Sequence, residues 1–223
     1  MVGFQIAVTP PNPPPPLGEQ LATTRFEVVL RQRSGPVLVK CLCWAIALLE
    51  ATVIVASHLP DWPCCQKIIS VLVVNGNLDR LYVSPLFVFG IFLTLIGAFI
   101  RYWCYRELGS LFTFEVSIRE NHKLVQTGPY HAVRHPGYTG VLLTVVGFFC
   151  WNASPGSWLR ECGALETTMG LSVVGVFGLL VAAIAAGLLL RMSKEDEALE
   201  KHFGEEWEDW SFRVPYKLVP GVF

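Results

Sequence analysis

Between Gly170 and Leu190 the chain carries no charged side chain, and about 20 apolar residues are what an α-helix needs to cross a bilayer. This run constrains the fold most strongly, because in lipid only helices and closed barrels satisfy their own backbone hydrogen bonds. Three further stretches share its character: Val37 to Ser57, about Leu81 to Ile100, and the shorter Tyr138 to Trp151. The expected architecture is all-α: a polytopic transmembrane helix bundle of about four spans with a cytosolic helical extension at the C-terminus. Ile68 to Val74 is too short to span and reads as a surface or re-entrant piece. Composition agrees, with 52% hydrophobic residues and only 16% charged, against about 25% charged in soluble domains. A net charge of −1 excludes a general nucleic-acid binder, which carries a basic excess.

Charge placement orients the spans. Arg25, Arg31, Arg33 and Lys40 precede or open the first; Arg101, Arg106, Arg119, Lys123 and Arg134 follow the second. Arg191, Lys194, Lys201, Arg213 and Lys217 follow the fourth, while the opposite side holds only Lys67, Arg80 and Arg160. The positive-inside rule places both termini and the 101–137 loop in the cytosol. Three regions result: a Pro-rich, disordered tail over 1–36, N-terminal transmembrane helices over 37–100, and a region with two further spans over 101–223. The tail's Pro10-Pro11-Asn12-Pro13-Pro14-Pro15-Pro16 excludes helix there. The seven cysteines form no CxxC pair and several sit in apolar runs, where they act as small hydrophobes. Gly178, Ala182 and Ala186 give the last span a small-residue face for helix packing. Glu50 lies inside the first span, as a functional group or a structural hydrogen-bond partner.

Two polar stretches carry the chemistry. The first, His122 to Gly140, runs from the turn signal Gly128-Pro129 into a membrane helix, and Pro136 suits that helix's first turn. Arg134 and His135 would stand at the helix N-terminus, where cations and backbone N–H groups together make an anion site. An arginine fork suits a carboxylate well. The second stretch, Arg191 to Trp207, continues the last span without a breaker. Arg191 and Glu195 lie one helical turn apart on one face, Phe203-Gly204 ends the helix with a glycine cap, and Trp207, Trp210, Phe212 and Tyr216 supply interfacial aromatics. Parity brings both stretches to one side of the membrane.

These two motifs, His-x-Leu-Val-x-x-Gly-x-Tyr-x-x-x-Arg-His-Pro-x-Tyr-x-Gly and Arg-x-x-x-Glu-Asp-x-x-Leu-x-x-x-Phe-Gly-x-x-Trp, resemble those of the isoprenylcysteine carboxyl methyltransferases. The resemblance runs from about residue 101 to the end. It implies a membrane enzyme, embedded in the endoplasmic reticulum, that binds S-adenosyl-L-methionine (SAM) between the cytosolic ends of its last helices. Carried over by position, His122, Leu124, Gly128, Tyr130, His135, Pro136, Tyr138 and Glu195 would hold the cofactor. Arg134, Arg191 and Glu195 would be the catalytic group, and Trp207 stands where the family has an aromatic, commonly tyrosine. The implied substrate is the C-terminal carboxylate of prenylcysteine, in a processed CaaX-type protein or a small analogue.

His131 and His135 lie four apart, yet no acidic or thiol ligand follows at zinc spacing, so no metal site is expected. His202 reads as a surface residue, and Tyr130 and Tyr138 have an alternative as interfacial anchors. At the level of function, the alternatives are a phospholipid-amine N-methyltransferase, a sterol reductase-like membrane enzyme using a nicotinamide, and a non-catalytic scaffold. The chain lacks the GxGxxG loop that would support a dinucleotide.

Overall fold

The computed structural model describes residues 1–16, 34–113, 117 and 122–222. Its long helices are α2 (Ser34–Ser57), α4 (Pro85–Leu108), α5 (Pro136–Ala153) and α7 (Thr168–Phe203), joined by the shorter α1 (Val2–Val8), α3 (Pro63–Leu72), α6 (Trp158–Glu161) and α8 (Glu205–Arg213). Among the described residues, three segments are long and apolar enough to cross a membrane: Val37–Ser57, Pro85–Leu111 and Thr168–Phe203. The fourth expected span falls on α5, whose 18 residues reach about 27 Å at 1.5 Å per residue. Large apolar side chains such as Phe92, Leu95, Phe99, Val176 and Leu179 point outward, as a lipid-facing surface requires.

Helix boundaries follow local chemistry. Ser84 caps α4 by accepting from the Phe87 N–H at 3.3 Å, and Pro85 occupies its first turn, where a missing N–H costs nothing. Thr167 caps α7 in the same way, accepting from Gly170 at 3.0 Å. Gly204, at φ +54°, ends α7, as the Phe203-Gly204 pair implies.

The tightest contact is the antiparallel α4–α5 pair. A side chain at Gly97 would sit 2.5 Å from the Gly140 carbonyl, and one at Gly147 would sit 2.5 Å from that of Gly90. The glycines recur seven apart on both helices, so the backbones touch along a seam of about two turns. Thr94 and Thr144 lie in it, each hydroxyl donating to its own helix at Gly90 and Gly140.

Two expectations meet a different outcome. Within the supposed tail, Val2–Val8 forms a helix, and Phe4 joins Cys43, Phe148, Phe177 and Val181 in the main apolar cluster. The prolines begin only at Pro10, leaving an apolar segment ahead of them free to fold; residues 17–33 lie outside the described residues. On α7, the small-residue face is not packed within the chain: a side chain at Gly178 would meet open space, and Ala182 and Ala186 are exposed. Glu50 resolves as structural. It is 7% exposed and accepts from the Trp151 indole at 2.9 Å and the Trp158 N–H at 3.1 Å, tying α2 to the ends of α5 and α6.

Candidate active site

The first motif is built as a turn locked onto α4. Gly128 takes φ +60°, and a Cβ there would press on the Glu107 side chain. Glu107 in turn accepts from the Thr127 hydroxyl at 2.7 Å and the Trp103 indole at 3.1 Å. The chain then makes a 3-10 turn over Gly128–His131 and enters α5 at Pro136, with His135 as N-cap. A strap from the C-terminus runs alongside. The N–H groups of Arg134 and His135 donate to the carbonyls of Tyr216 at 2.9 Å and Lys217 at 2.8 Å, and the Thr139 hydroxyl donates to Leu218 at 2.8 Å. These two N–H groups, just ahead of α5, thus hold the C-terminal segment.

Helix α7 brings the second motif into contact. Asp196, 6% exposed, is the hub. Its carboxylate meets His135 Nε2 at 2.8 Å, Arg134 Nη1 at 3.3 Å and Lys217 Nζ at 3.4 Å. Arg134 also donates to the Pro215 carbonyl at 3.3 Å, and its guanidinium lies 5.7 Å from the Trp207 ring centre. The neighbouring Glu195 points elsewhere, because successive helical residues differ by about 100° in direction. It accepts from the Tyr138 hydroxyl at 2.6 Å and stands 4.0 Å from Arg191 Nε. The His135 and Tyr138 rings stack at 5.5 Å.

Several of these side chains line one cavity of about 240 Å³, with Asp196 and Lys217 behind its wall. Of the expected site residues, His122, Leu124, Tyr130, Arg134, His135, Tyr138, Arg191 and Glu195 line it. Gly128 and Pro136 do not: the glycine permits the turn against Glu107, and the proline is fully buried as the start of α5. His131 is exposed while His135 is buried, so that pair does not converge. Burial, reinforced by Cys104 and Glu195, pushes the Tyr130 phenol well above its ordinary pKa. It therefore stays a hydrogen-bond donor at neutral pH.

Sequence reasoning missed four participants. Asp196 and Lys217 complete the ion cluster, Arg101 contributes a buried cation to the cavity wall, and Trp210 lines the cavity while packing with Trp207 and Val214. The acidic pair Glu195-Asp196 was the available signal for the first; nothing local marks the others. Two buried donors of cavity-lining residues, Arg134 Nε and Trp210 Nε1, have no hydrogen-bond partner among the described residues. Such groups are costly to leave unmet, and a ligand rich in acceptor atoms suits them. The wall continues into apolar residues of α5 and α7, including Leu142, Val145, Val181, Ile184 and Leu188.

Residues 90–155, which cover most of α4, all of α5 and the first motif, match the profile of the isoprenylcysteine carboxyl methyltransferase family. The chain is 29% identical over 129 residues to protein-S-isoprenylcysteine O-methyltransferase B of Arabidopsis thaliana, covering 57% of this chain and 56% of that protein. It is 28% identical over 127 residues to probable protein-S-isoprenylcysteine O-methyltransferases of Oryza sativa, subspecies indica and japonica, covering 56% of each chain. The chain spans a little over half the length of these relatives.

Proposed function

We propose that the chain, whose residues 90–155 match the profile of the isoprenylcysteine carboxyl methyltransferase family, methylates the C-terminal carboxylate of a prenylcysteine, with S-adenosylmethionine as donor. The substrate is a processed CaaX-type protein or a small prenylcysteine. One observation carries the reading: a single cavity joins a cationic end to an apolar arm between membrane helices. Arg101, Arg134 and Arg191 line it against one carboxylate, Glu195. That balance favours an anionic acceptor over a phospholipid amine, and the arm between α5 and α7 suits an isoprenoid tail entering from the bilayer.

The donor set fits the cofactor. SAM is rich in acceptors that the unpartnered donors of Arg134 and Trp210 can meet, and His122, Leu124, Tyr130, His135, Tyr138 and Glu195 would complete its pocket. When bound, it supplies an electrophilic sulfonium methyl. A carboxylate is already a competent nucleophile, so no general base is required and catalysis rests on alignment and exclusion of water. Arg191 and Arg134 orient the carboxylate. Asp196 shares Arg134, which moderates the grip and keeps the nucleophile's charge available. Glu195, fixed by the Tyr138 hydroxyl, would hold the positive end of the cofactor. The positive-inside rule applied to the basic loops supports a cytosolic position for this end of the bundle, and the family reading implies the endoplasmic reticulum.

Membranes containing the chain are expected to transfer a labelled methyl from S-adenosylmethionine to farnesylcysteine, giving a base-labile ester. A labelled phospholipid amine with no ester would overturn this reading. Arg134→Ala is expected to lower the rate about 100-fold, as misplacement of reacting groups does, while leaving the protein inserted; full activity would remove Arg134 from the site.

A further inference from the structure

Helix α1 lies outside the residues that match the family, yet it forms part of the cavity. Ala7 and Val8 stand on its wall together with Val39 of α2, across from the apolar residues of α5 and α7. A seven-residue helix is far too short to be stable by itself in water, and here it is fixed by anchors at both ends. Phe4, 2% exposed, is driven into the main apolar cluster, and Gln5 accepts from the Trp44 indole at 3.1 Å. At the C-terminal end the Ala7 carbonyl accepts from Arg101 Nε at 2.9 Å and from the Tyr105 hydroxyl at 3.1 Å. Beyond it, the Asn12 amide donates to the carbonyls of Gly109 at 2.7 Å and Phe112 at 2.9 Å. Arg101 also donates to Gly137 at 3.4 Å, so the residue that holds α1 touches the first motif as well.

We propose that α1 is a selectivity wall: Val8 limits how bulky an isoprenoid tail the apolar arm admits. This inference rests on the function proposed above. Ala7 is fully buried in packing, whereas Val8 is half-buried: it packs against the edge of the main apolar cluster and also lines the cavity. In an apolar pocket, one methylene more or less shifts specificity about tenfold or more.

The test uses the full chain in proteoliposomes with geranyl-, farnesyl- and geranylgeranyl-cysteine as acceptors. Val8→Trp is expected to raise the geranylgeranyl-to-geranyl KM ratio about tenfold. Val8→Ala, which removes two carbons from the wall, is expected to lower the same ratio about tenfold. Binding of S-adenosylhomocysteine, measured by calorimetry, is expected to stay at the wild-type value in both. A wild type that methylates none of the three refutes the proposed function and this inference with it. An active wild type whose KM ratio is unmoved in both variants refutes this inference alone, as does a loss of S-adenosylhomocysteine binding that accounts for the change.

Discussion

The α4–α5 pair and helix α7 carry the two halves of the site, and they are built on opposite principles. In the pair, glycines at 90, 97, 140 and 147 bring the backbones into direct contact, so geometry is fixed by shape. Helix α7 runs 36 residues with much of its apolar surface outward and open space around Gly178. Its C-terminal end is positioned by polar contacts instead: Asp196 on Arg134, His135 and Lys217, and Glu195 on Tyr138. One half of the site is therefore rigid by packing, and the other is registered against it by charge. This division suits an active site beside an apolar arm, since α7 can hold its chemistry without closing the bilayer side.

The sharpest way to break that contrast is Gly97→Leu. Its side chain would enter the Gly140 backbone, and overpacking of this kind against an unyielding backbone exceeds the usual 1–3 kcal/mol or so. No folded protein is expected in a detergent thermal-stability assay; a folded variant would show that the seam can open. Asp196→Asn comes next. It keeps the shape while removing the charge that registers α7, so the methylation rate is expected to fall about 100-fold with thermal stability of the α4–α5 half retained. Unchanged kinetics would show that packing alone positions α7. Glu50→Ala leaves the Trp151 indole and Trp158 N–H without their acceptor, a loss of about 1–3 kcal/mol. It should lower the melting midpoint but leave KM for both substrates unchanged, because Glu50 lies off the cavity wall. Gly178→Leu is the smallest: stability within about 0.5 kcal/mol of wild type is expected, and a large loss would reveal a packing partner on that face.

By itself, the sequence determined the helical, membrane-embedded class, since a charge-free run at Gly170–Leu190 has no other stable outcome in lipid. It also located both motifs, the helix start at Pro136, the end at Gly204, and eight of the residues that line the cavity, because these depend on local turn chemistry and helical spacing. Only the tertiary structure decided the rest. The role of Asp196 as hub rests on Lys217 arriving from a strap far along the chain, and no local pattern encodes such a meeting. Gly128 and Pro136 turned out to shape the backbone instead of lining the cavity, because their positions in the motif reveal a requirement and not which atom meets it. The fate of α1 was hidden for the same reason: seven residues have too little intrinsic preference to announce a helix, and it is Phe4 in the shared apolar cluster and the Arg101 and Tyr105 donors on Ala7 that fold it against the bundle.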